Sequence, residues 1–370
     1  AIAISDYICS YIIKKMSFDA IPFKSNPNFK FKEIVVEKTE CLASSYQFDC
    51  YKAADGNTYL VSPYWDIEHA DKPVHYISLI NLKTNEVYKK LEGHKDRVLC
   101  ARYFKDPYTK KDYLISCDRK YKIIVWSLDD DCKNIFEKEE KYESFIYSVI
   151  LMFEPNNKIY AVTSTLANGE SFIHPLDDKT KKFEIKDTKD LFVYFMTYWW
   201  DEKKQEHNII SCGKNKILIS QIKPGSNNNT NYHIQTDEKH PYNLGGMVYK
   251  NKDKDYLITS ATYGLIKVID LQAKKEVKSI TFEDVFLYSF IKWNDHYLLV
   301  NDCLQRRILV LDINDFTVKS KVLCPEMYFD RFIKKVDHPI YGESIMSVGI
   351  DWKIKLFVNR NITKNDKPAN

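Results

Sequence analysis

The sequence predicts an all-β fold: a seven-bladed β-propeller built from four-stranded antiparallel sheets. A short apolar segment ending in Ser, Thr or Val recurs seven times, and the intervals between its last residues run from 41 to 54 residues. A period in this range indicates an array of one supersecondary unit. The chain also has 26 Tyr and 20 Phe but only 10 Gly and 12 Pro, a composition that favours aromatic-rich strands.

The recurring segment is expected to be the second strand of each unit. Its apolar run is short and continuous, which is typical of a strand buried on both faces. We interpret these strands as facing the central channel. Their last residues are Ser62, Ser116, Thr163, Ser211, Thr259, Val300 and Ser347.

The clearest unit runs from residue 93 to residue 128, with an outer strand after it. Gly93 and His94 form a turn, and residues 97–103 then alternate like a half-buried strand. The next two strands are expected at 113–117 and 122–126, separated by a polar turn at 118–120. Residues 134–137 complete the sheet as an outer strand.

The same order of strands recurs along the rest of the chain. Later units are expected at 145–185, 191–234, 244–280 and 286–322, and an earlier copy at 45–91 contains an insert around 64–73. The returning third strands of the later units, including the seventh, are predicted at 172–174, 217–220, 266–269, 308–311 and 354–357.

Both ends of the chain are needed to complete the seventh sheet. Residues 359–370 are polar and supply no fourth strand, whereas residues 30–37 form a strand that belongs to no unit. We therefore predict that the N-terminal strand closes the last blade, because radial closure removes open sheet edges. The predicted divisions are an N-terminal extension at 1–29 with a short helix, a propeller at 30–358 and a flexible tail at 359–370.

The pattern of His94, Ser116 and Trp126 after Gly93 resembles the WD-repeat family of β-propellers. In that family these residue types and an Asp form a buried hydrogen-bonded chain within one blade. The family's Asp would stand at Lys120, six residues before the Trp, and the sequence leaves open whether Asp118 replaces it. The resemblance spans residues 30–358 but is specific only in the second unit. It implies a divergent member of the family, whose blades are held together by the strand pattern rather than by those buried polar hydrogen bonds. It also implies a rigid platform for protein partners rather than a catalyst.

Charge and cysteine content restrict the partners and the compartment. The chain has 55 basic and 51 acidic residues and a net charge of +4, a balance that gives no specific nucleic-acid signal. Its longest apolar runs are about half of a membrane span. Nine dispersed cysteines with no C-x-x-C pair indicate buried thiols in a reducing, intracellular compartment, and we predict a cytoplasmic protein.

Motifs for catalysis, cofactors and metals are not evident in the sequence. It contains neither a phosphate-binding Gly loop nor a Gly-x-Ser-x-Gly elbow. The nine His are dispersed without metal-ligand spacing, and residues 129–131 (three Asp) are interpreted as a solvated acidic turn. We therefore predict no enzyme activity, no cofactor and no bound metal.

The predicted function is a noncatalytic protein-interaction scaffold, a structural subunit of a larger intracellular assembly. The alternatives are a propeller-fold hydrolase and a reader of modified peptides or lipids. Partner binding is assigned to one rim of the channel, at Arg97, Lys120, Tyr263, Arg306 and Trp352, because Arg and aromatic residues anchor interfaces. Binding through the blade edges or through residues 7–16, a candidate amphipathic helix, is the other interpretation.

Overall fold

The computed structural model describes residues 31–35, 48–65, 74–189, 191–236, 239–324, 332–348 and 354–359. These residues form seven four-stranded antiparallel sheets arranged in a ring, which confirms the predicted seven-bladed β-propeller. The first strand of each sheet is innermost and the fourth is outermost. Apart from the strands, the described residues contain one short 3-10 helix, at Thr262–Gly264.

The strands follow one another in chain order within each of the first six sheets. The first sheet contains β2 (Asp49–Lys52), β3 (Thr58–Trp65), β4 (His75–Asn81) and β5 (Glu86–Glu92). The second contains β6 (Val98–Lys105), β7 (Asp112–Asp118), β8 (Lys122–Ser127) and β9 (Lys133–Glu139). The third contains β10 (Ile146–Phe153), β11 (Ile159–Thr165), β12 (Ser171–Pro175) and β13 (Phe183–Glu184).

The remaining sheets repeat this order. The fourth contains β14 (Phe195–Asp201), β15 (Glu206–Cys212), β16 (Lys216–Ile222) and β17 (Asn229–Gln235). The fifth contains β18 (Asn243–Asn251), β19 (Lys254–Ala261), β20 (Leu265–Asp270) and β21 (Lys275–Thr281). The sixth contains β22 (Leu287–Lys292), β23 (Tyr297–Asp302), β24 (Arg307–Asp312) and β25 (Val318–Leu323). The seventh contains β26 (Phe332–His338), β27 (Gly342–Val348), β28 (Ile354–Asn359) and β1 (Phe31–Val35).

Burial explains why the middle strands have continuous apolar runs. All six residues of β8 and all six of β20 are buried, because neighbouring blades cover both faces of these strands. In the outer strand β21, by contrast, exposed residues alternate with partly buried ones along all seven positions. The last residue of each recurring segment, from Ser62 to Ser347, is fully buried.

The ring is closed as predicted, by a strand from the N-terminal part of the chain. β1 pairs antiparallel with β28, from Phe31 opposite Asn359 to Val35 opposite Lys355. The first and seventh sheets also share one hydrophobic cluster, in which the Cys50 thiol lies 3.5 Å from the Met346 sulfur. Both contacts join residues that are hundreds of positions apart in the sequence, so closure depends on both ends of the chain.

Some details differ from the sequence prediction. The outer strand of the second sheet is longer than predicted, at Lys133–Glu139, because its ends continue the ladder with β8. The recurring second strands pack between neighbouring sheets, so the interpretation that they face the channel is wrong; the first strands face it instead. Residues 7–16, most of the 64–73 insert and residues 360–370 lie outside the described residues. The described residues contain no helical segment with the length and hydropathy that a membrane crossing requires.

Candidate functional site

One rim of the ring is formed by two kinds of connection. Because the strands of each sheet alternate in direction, the turn between the second and third strands lies on the same side as the segment that leads into the first strand. We call this side the upper rim and the opposite side, formed by the other turns, the lower rim. Six of the seven sheets contribute a described segment to the upper rim.

The structure places four of the five sequence-predicted binding residues on the upper rim. Lys120 is 63% exposed, and its ammonium lies 3.9 Å from the Asp96 carboxylate. Arg97 is half-buried beside it, and its carbonyl accepts a hydrogen bond of 3.0 Å from the Arg119 amide. Tyr263 lies on the fifth sheet and the half-buried Arg306 on the sixth, so only the first two are neighbours.

The fifth predicted residue, Trp352, lies outside the described residues. Tyr263 is 68% exposed and is the most exposed large hydrophobic side chain of the described chain. Its ring meets the imidazole of His240 edge-on, with the ring centres 6.2 Å apart. Of the predicted binding residues on this rim, Lys120 and Tyr263 are therefore the two whose side chains extend well into solvent.

Three turns of the upper rim hold bulky residues in a backbone conformation that such residues rarely adopt. The φ angles are +68° for Tyr121, +60° for Tyr263 and +49° for Arg306. A positive φ in a bulky residue costs conformational energy. The lower rim has such residues too, for example Phe316 at +58° and Lys110 at +63°, so these angles do not by themselves distinguish the upper rim. The sequence contained no direct signal for these angles, because a positive φ is typical of Gly and Asn rather than of Tyr and Arg.

An aromatic patch that sequence reasoning missed lies on one side of the mouth of the channel on the upper rim. It consists of Tyr194, Tyr242, Phe286 and Tyr288, which pack around the buried Leu244. The rings of Tyr194 and Tyr242 are in edge contact, with their centres 5.6 Å apart. These residues belong to three consecutive blades but are separated by up to 94 positions in the sequence. Only the ring arrangement brings them together.

The second sheet contains a buried hydrogen-bonded chain that joins four of its side chains. The Trp126 indole donates to the Ser116 hydroxyl at 3.3 Å, and this hydroxyl lies 2.7 Å from Nε2 of His94. Nδ1 of His94 lies 3.1 Å from the Asp118 carboxylate. Asp118 therefore takes the role that the sequence left open. The interpretation that strand pattern alone holds the chain together is incomplete for this sheet.

The Asp118 carboxylate fixes the direction of this hydrogen-bonded chain. Burial raises its pKa, but hydrogen bonds from His94 and from backbone amides outweigh burial and hold the pKa below its usual range. An ionised carboxylate can only accept, so Nδ1 of His94 carries the proton and Nε2 accepts from Ser116. The Lys120 and Lys122 amides also donate to Asp118, each at 2.9 Å, and so the carboxylate shapes the upper-rim turn that presents Lys120.

The third sheet has a related buried cluster with different residue types. The Tyr142 hydroxyl lies 3.1 Å from Nε2 of His174, and the Thr163 hydroxyl lies 3.3 Å from the same atom. Each of the three residues follows its counterpart in the second sheet by 47 or 48 positions. That spacing was the available signal in the sequence, but the change of side chains concealed it.

Burial keeps two histidines of the propeller neutral at acidic pH. Burial, together with the nearby Lys138 ammonium, lowers the pKa of His174 to about 4. Burial also lowers the pKa of His338 to about 4. In an unfolded chain both groups would bind protons at an ordinary pKa of 6.5. Protons therefore bind the unfolded state preferentially between these two values.

We expect the free energy of unfolding to fall as the pH is lowered from about 6.5 to about 4. The contribution of His174 to the free energy of unfolding is complete above the pKa that the group has in the unfolded state. Across this pH window that contribution falls by about 3 kcal/mol. Urea denaturation at several pH values, compared between the wild type and His174→Gln, checks this. The exposed His296 supplies the matched control, His296→Gln. An unchanged slope in His174→Gln would contradict the assignment.

The central channel contains a cavity of about 580 Å³. All seven first strands contribute to its lining, which is mainly apolar and aromatic. The charged groups are Arg102, Asp49 and three lysines, and among the described lining residues Asp49 is the one carboxylate. Asp49 is ion-paired with Lys334 across the junction of the first and seventh sheets. Sequence reasoning missed this lining because it assigned the channel to the wrong strands.

The acidic turn after β8 is engaged by groups of the protein itself. The Asp129 carboxylate accepts a hydrogen bond from the Asp112 amide at 2.6 Å, and Asp131 is ion-paired with Lys89 at 2.5 Å. Within the described part of the chain, no three His, Cys, Asp or Glu residues are grouped as a metal site would require.

Comparison of the chain with models of known protein families and with curated proteins found no match.

Proposed function

We propose that this protein is a noncatalytic scaffold that binds other proteins through its upper rim, as a structural subunit of a larger intracellular assembly. The observation that carries the proposal is the exposure on this rim of Tyr263, the most exposed large hydrophobic side chain of the described residues. Lys120 also extends into solvent there, and the aromatic patch lies beside the channel mouth. Aromatic and basic residues supply most of the binding energy in protein interfaces.

We also propose that the chain is a divergent member of the WD-repeat family. The resemblance implies a buried chain of Trp, Ser, His and Asp, and the four side chains Trp126, Ser116, His94 and Asp118 have this arrangement. In the first and fourth sheets, the hydroxyls of Ser62 and Ser211 have no hydrogen-bond partner among the described residues. The protein therefore diverges from the family pattern in these two blades, which lack the hydrogen-bonded arrangement of the second sheet.

A cytoplasmic location is part of the proposal. The structure describes seven of the nine cysteines, and all seven are buried. Burial raises the pKa of the Cys212 thiol to about 12, so this group stays protonated and inert as a core residue. Buried thiols of this kind are typical of a reducing compartment. Protein partners, rather than nucleic acid or membrane, agree with the near balance of charge.

The alternative of a hydrolase has less support. A propeller hydrolase would need several acidic or His side chains directed into the channel, whereas the described lining has the single carboxylate of Asp49, ion-paired with Lys334. A reader of modified peptides or lipids would need an aromatic cage around one point. The aromatic patch consists of the buried Phe286 ring and three partly buried Tyr rings spread over three blades, which suits a broader protein contact.

We expect the double variant Lys120→Glu/Tyr263→Ala to lose its partners in an affinity pull-down, by at least about tenfold in recovery, because it reverses one charge and removes the most accessible aromatic anchor. Both side chains are exposed, so the thermal unfolding temperature should not change. The readout is quantitative mass spectrometry of the recovered proteins.

The matched control is Tyr108→Ala/Lys111→Glu on the lower rim, which removes the same residue types from a turn whose Tyr is 40% exposed. This variant should recover partners like the wild type. Unchanged recovery by a folded upper-rim variant would move the interface to the blade edges or to the N-terminal segment.

A further inference from the structure

One basic residue of the channel lining has no acidic partner. Arg102 lies on β6, and its guanidinium extends past the third sheet to the fourth. Nη1 donates to the carbonyl oxygens of Val149 at 3.4 Å and Met196 at 3.3 Å. The side chain also lies over the Phe104 ring at 5.3 Å. No carboxylate of the described residues forms an ion pair with it.

The other cations of the lining are all paired. Lys292 lies 2.8 Å from the Asp295 carboxylate, Lys334 is paired with Asp49, and Lys335 is paired with Glu343. Arg102 is thus the one described lining residue whose charge is not balanced by a neighbour, and it faces the cavity rather than bulk solvent.

An unbalanced cation in an enclosed site is costly to the folded protein. Burial lowers the pKa of Arg102 below its ordinary value, which shows that the enclosure disfavours the charged form. Arginine nevertheless remains charged in proteins, and a guanidinium taken out of water without a counter-charge destabilises the fold. An anion bound from outside the protein would supply the missing counter-charge.

The arrangement of hydrogen bonds leaves one side of the guanidinium available. The two carbonyl oxygens engage Nη1, whereas the N–H groups of Nε and Nη2 have no acceptor among the described residues. Two parallel N–H groups of an arginine match the two oxygens of a carboxylate or phosphate. The two carbonyl contacts also fix the position of the group before a ligand arrives.

We propose that the central channel binds a small organic anion, a molecule with an apolar or aromatic body and one carboxylate or phosphate group, and that Arg102 pairs with the anionic group. The cavity of about 580 Å³ falls in the range of small-molecule sites, which are mainly apolar with a few placed polar groups. Rings such as Tyr147 and Phe195 in the lining provide the surface for the apolar body. Low-dielectric walls strengthen the attraction between the ligand and the unbalanced charge.

The proposal is tested with three probes of similar size on the full chain: phenylacetate, phenyl phosphate and the uncharged benzyl alcohol. Binding is measured by isothermal titration calorimetry and by the rise of the unfolding temperature with probe concentration. We expect binding by phenylacetate, phenyl phosphate or both, and benzyl alcohol to bind at least about tenfold more weakly. The two anionic probes distinguish a carboxylate ligand from a phosphate ligand.

Arg102→Met removes the charge and keeps much of the apolar stem. It should weaken binding of the anionic probes at least about tenfold, and without a probe it should unfold at the same or a higher temperature than the wild type. The control is Arg119→Met, an exposed arginine of the same sheet that lies over the Phe145 ring at 5.3 Å. The control should bind the probes like the wild type.

Three results would overturn the proposal: no binding of either anionic probe, equal binding of benzyl alcohol, or undiminished binding by Arg102→Met. If Arg102→Met does not fold, Arg102→Lys keeps the charge but loses the two parallel donors, and undiminished binding by that variant would also count against the proposal. None of these results depends on a protein partner, so they are separate from the test of the scaffold function.

Discussion

Removal of residues 1–40 is expected to abolish the cooperative unfolding transition and to cause aggregation. This deletion removes β1, the outer strand that pairs with β28 at five positions. The seventh sheet would then present an exposed edge, and β28 would become a template for pairing with another chain. Because the first and seventh sheets share a hydrophobic cluster, loosening of the seventh sheet also weakens the point at which the ring closes.

The matched control is removal of residues 1–29, which leaves β1 in place. That protein should unfold at the temperature of the full chain and remain monomeric, as measured by calorimetry and by light scattering. A chain lacking residues 1–40 that behaves in the same way would show that closure does not depend on β1. Loss of stability in both deletions would instead assign the effect to the N-terminal extension.

The repeat was predictable because it is written in strands that are buried on both faces. Every residue of β7 and β8 is buried, so the middle positions of these strands are mostly apolar and the pattern can be recognised without knowledge of the fold. Closure was predictable for a related reason. Residues 30–37 were predicted as a strand without a sheet, and the seventh unit lacked one strand.

The residues around the channel could not be predicted in the same way. The first strands have one face on the core and one on the cavity, and their cavity side carries Arg102, Tyr147 and Lys334 with no common residue type. Their proximity results from the ring geometry, because each belongs to a different sheet. Periodicity within one sequence contains no information on which side chains meet across a central axis.

The buried polar clusters lie between these two cases. The second sheet keeps enough of a known pattern for His94, Ser116 and Trp126 to be singled out, but its carboxylate is displaced by two positions, to Asp118. The third sheet places Tyr142 and His174 where the second has His94 and Trp126. The two clusters occupy the same positions in their sheets but are built from different residue types. A search for particular residue types therefore does not detect the cluster of the third sheet.

Trp126→Ala is expected to destabilise the protein by about 3–5 kcal/mol, because it removes a large side chain from a fully packed site. Trp126 is 4% exposed and packs in a cluster that joins the first and second sheets, with Leu91 and Leu114 among its members. The cavity left by the indole cannot be filled easily, since both strands beside Trp126 are held in their ladders.

Trp126→Phe separates packing from hydrogen bonding in this loss. It keeps most of the apolar contact but removes the indole N–H that donates to Ser116 at 3.3 Å, and the expected cost is about 1 kcal/mol for the lost hydrogen bond. Urea denaturation of both variants measures the two contributions, with Trp200→Ala as the control at a half-buried tryptophan. A loss below about 1 kcal/mol in Trp126→Ala would mean that the site collapses around the missing ring. An equal loss in the Ala and Phe variants would instead assign the stability of this blade to the hydrogen-bonded chain of Ser116, His94 and Asp118.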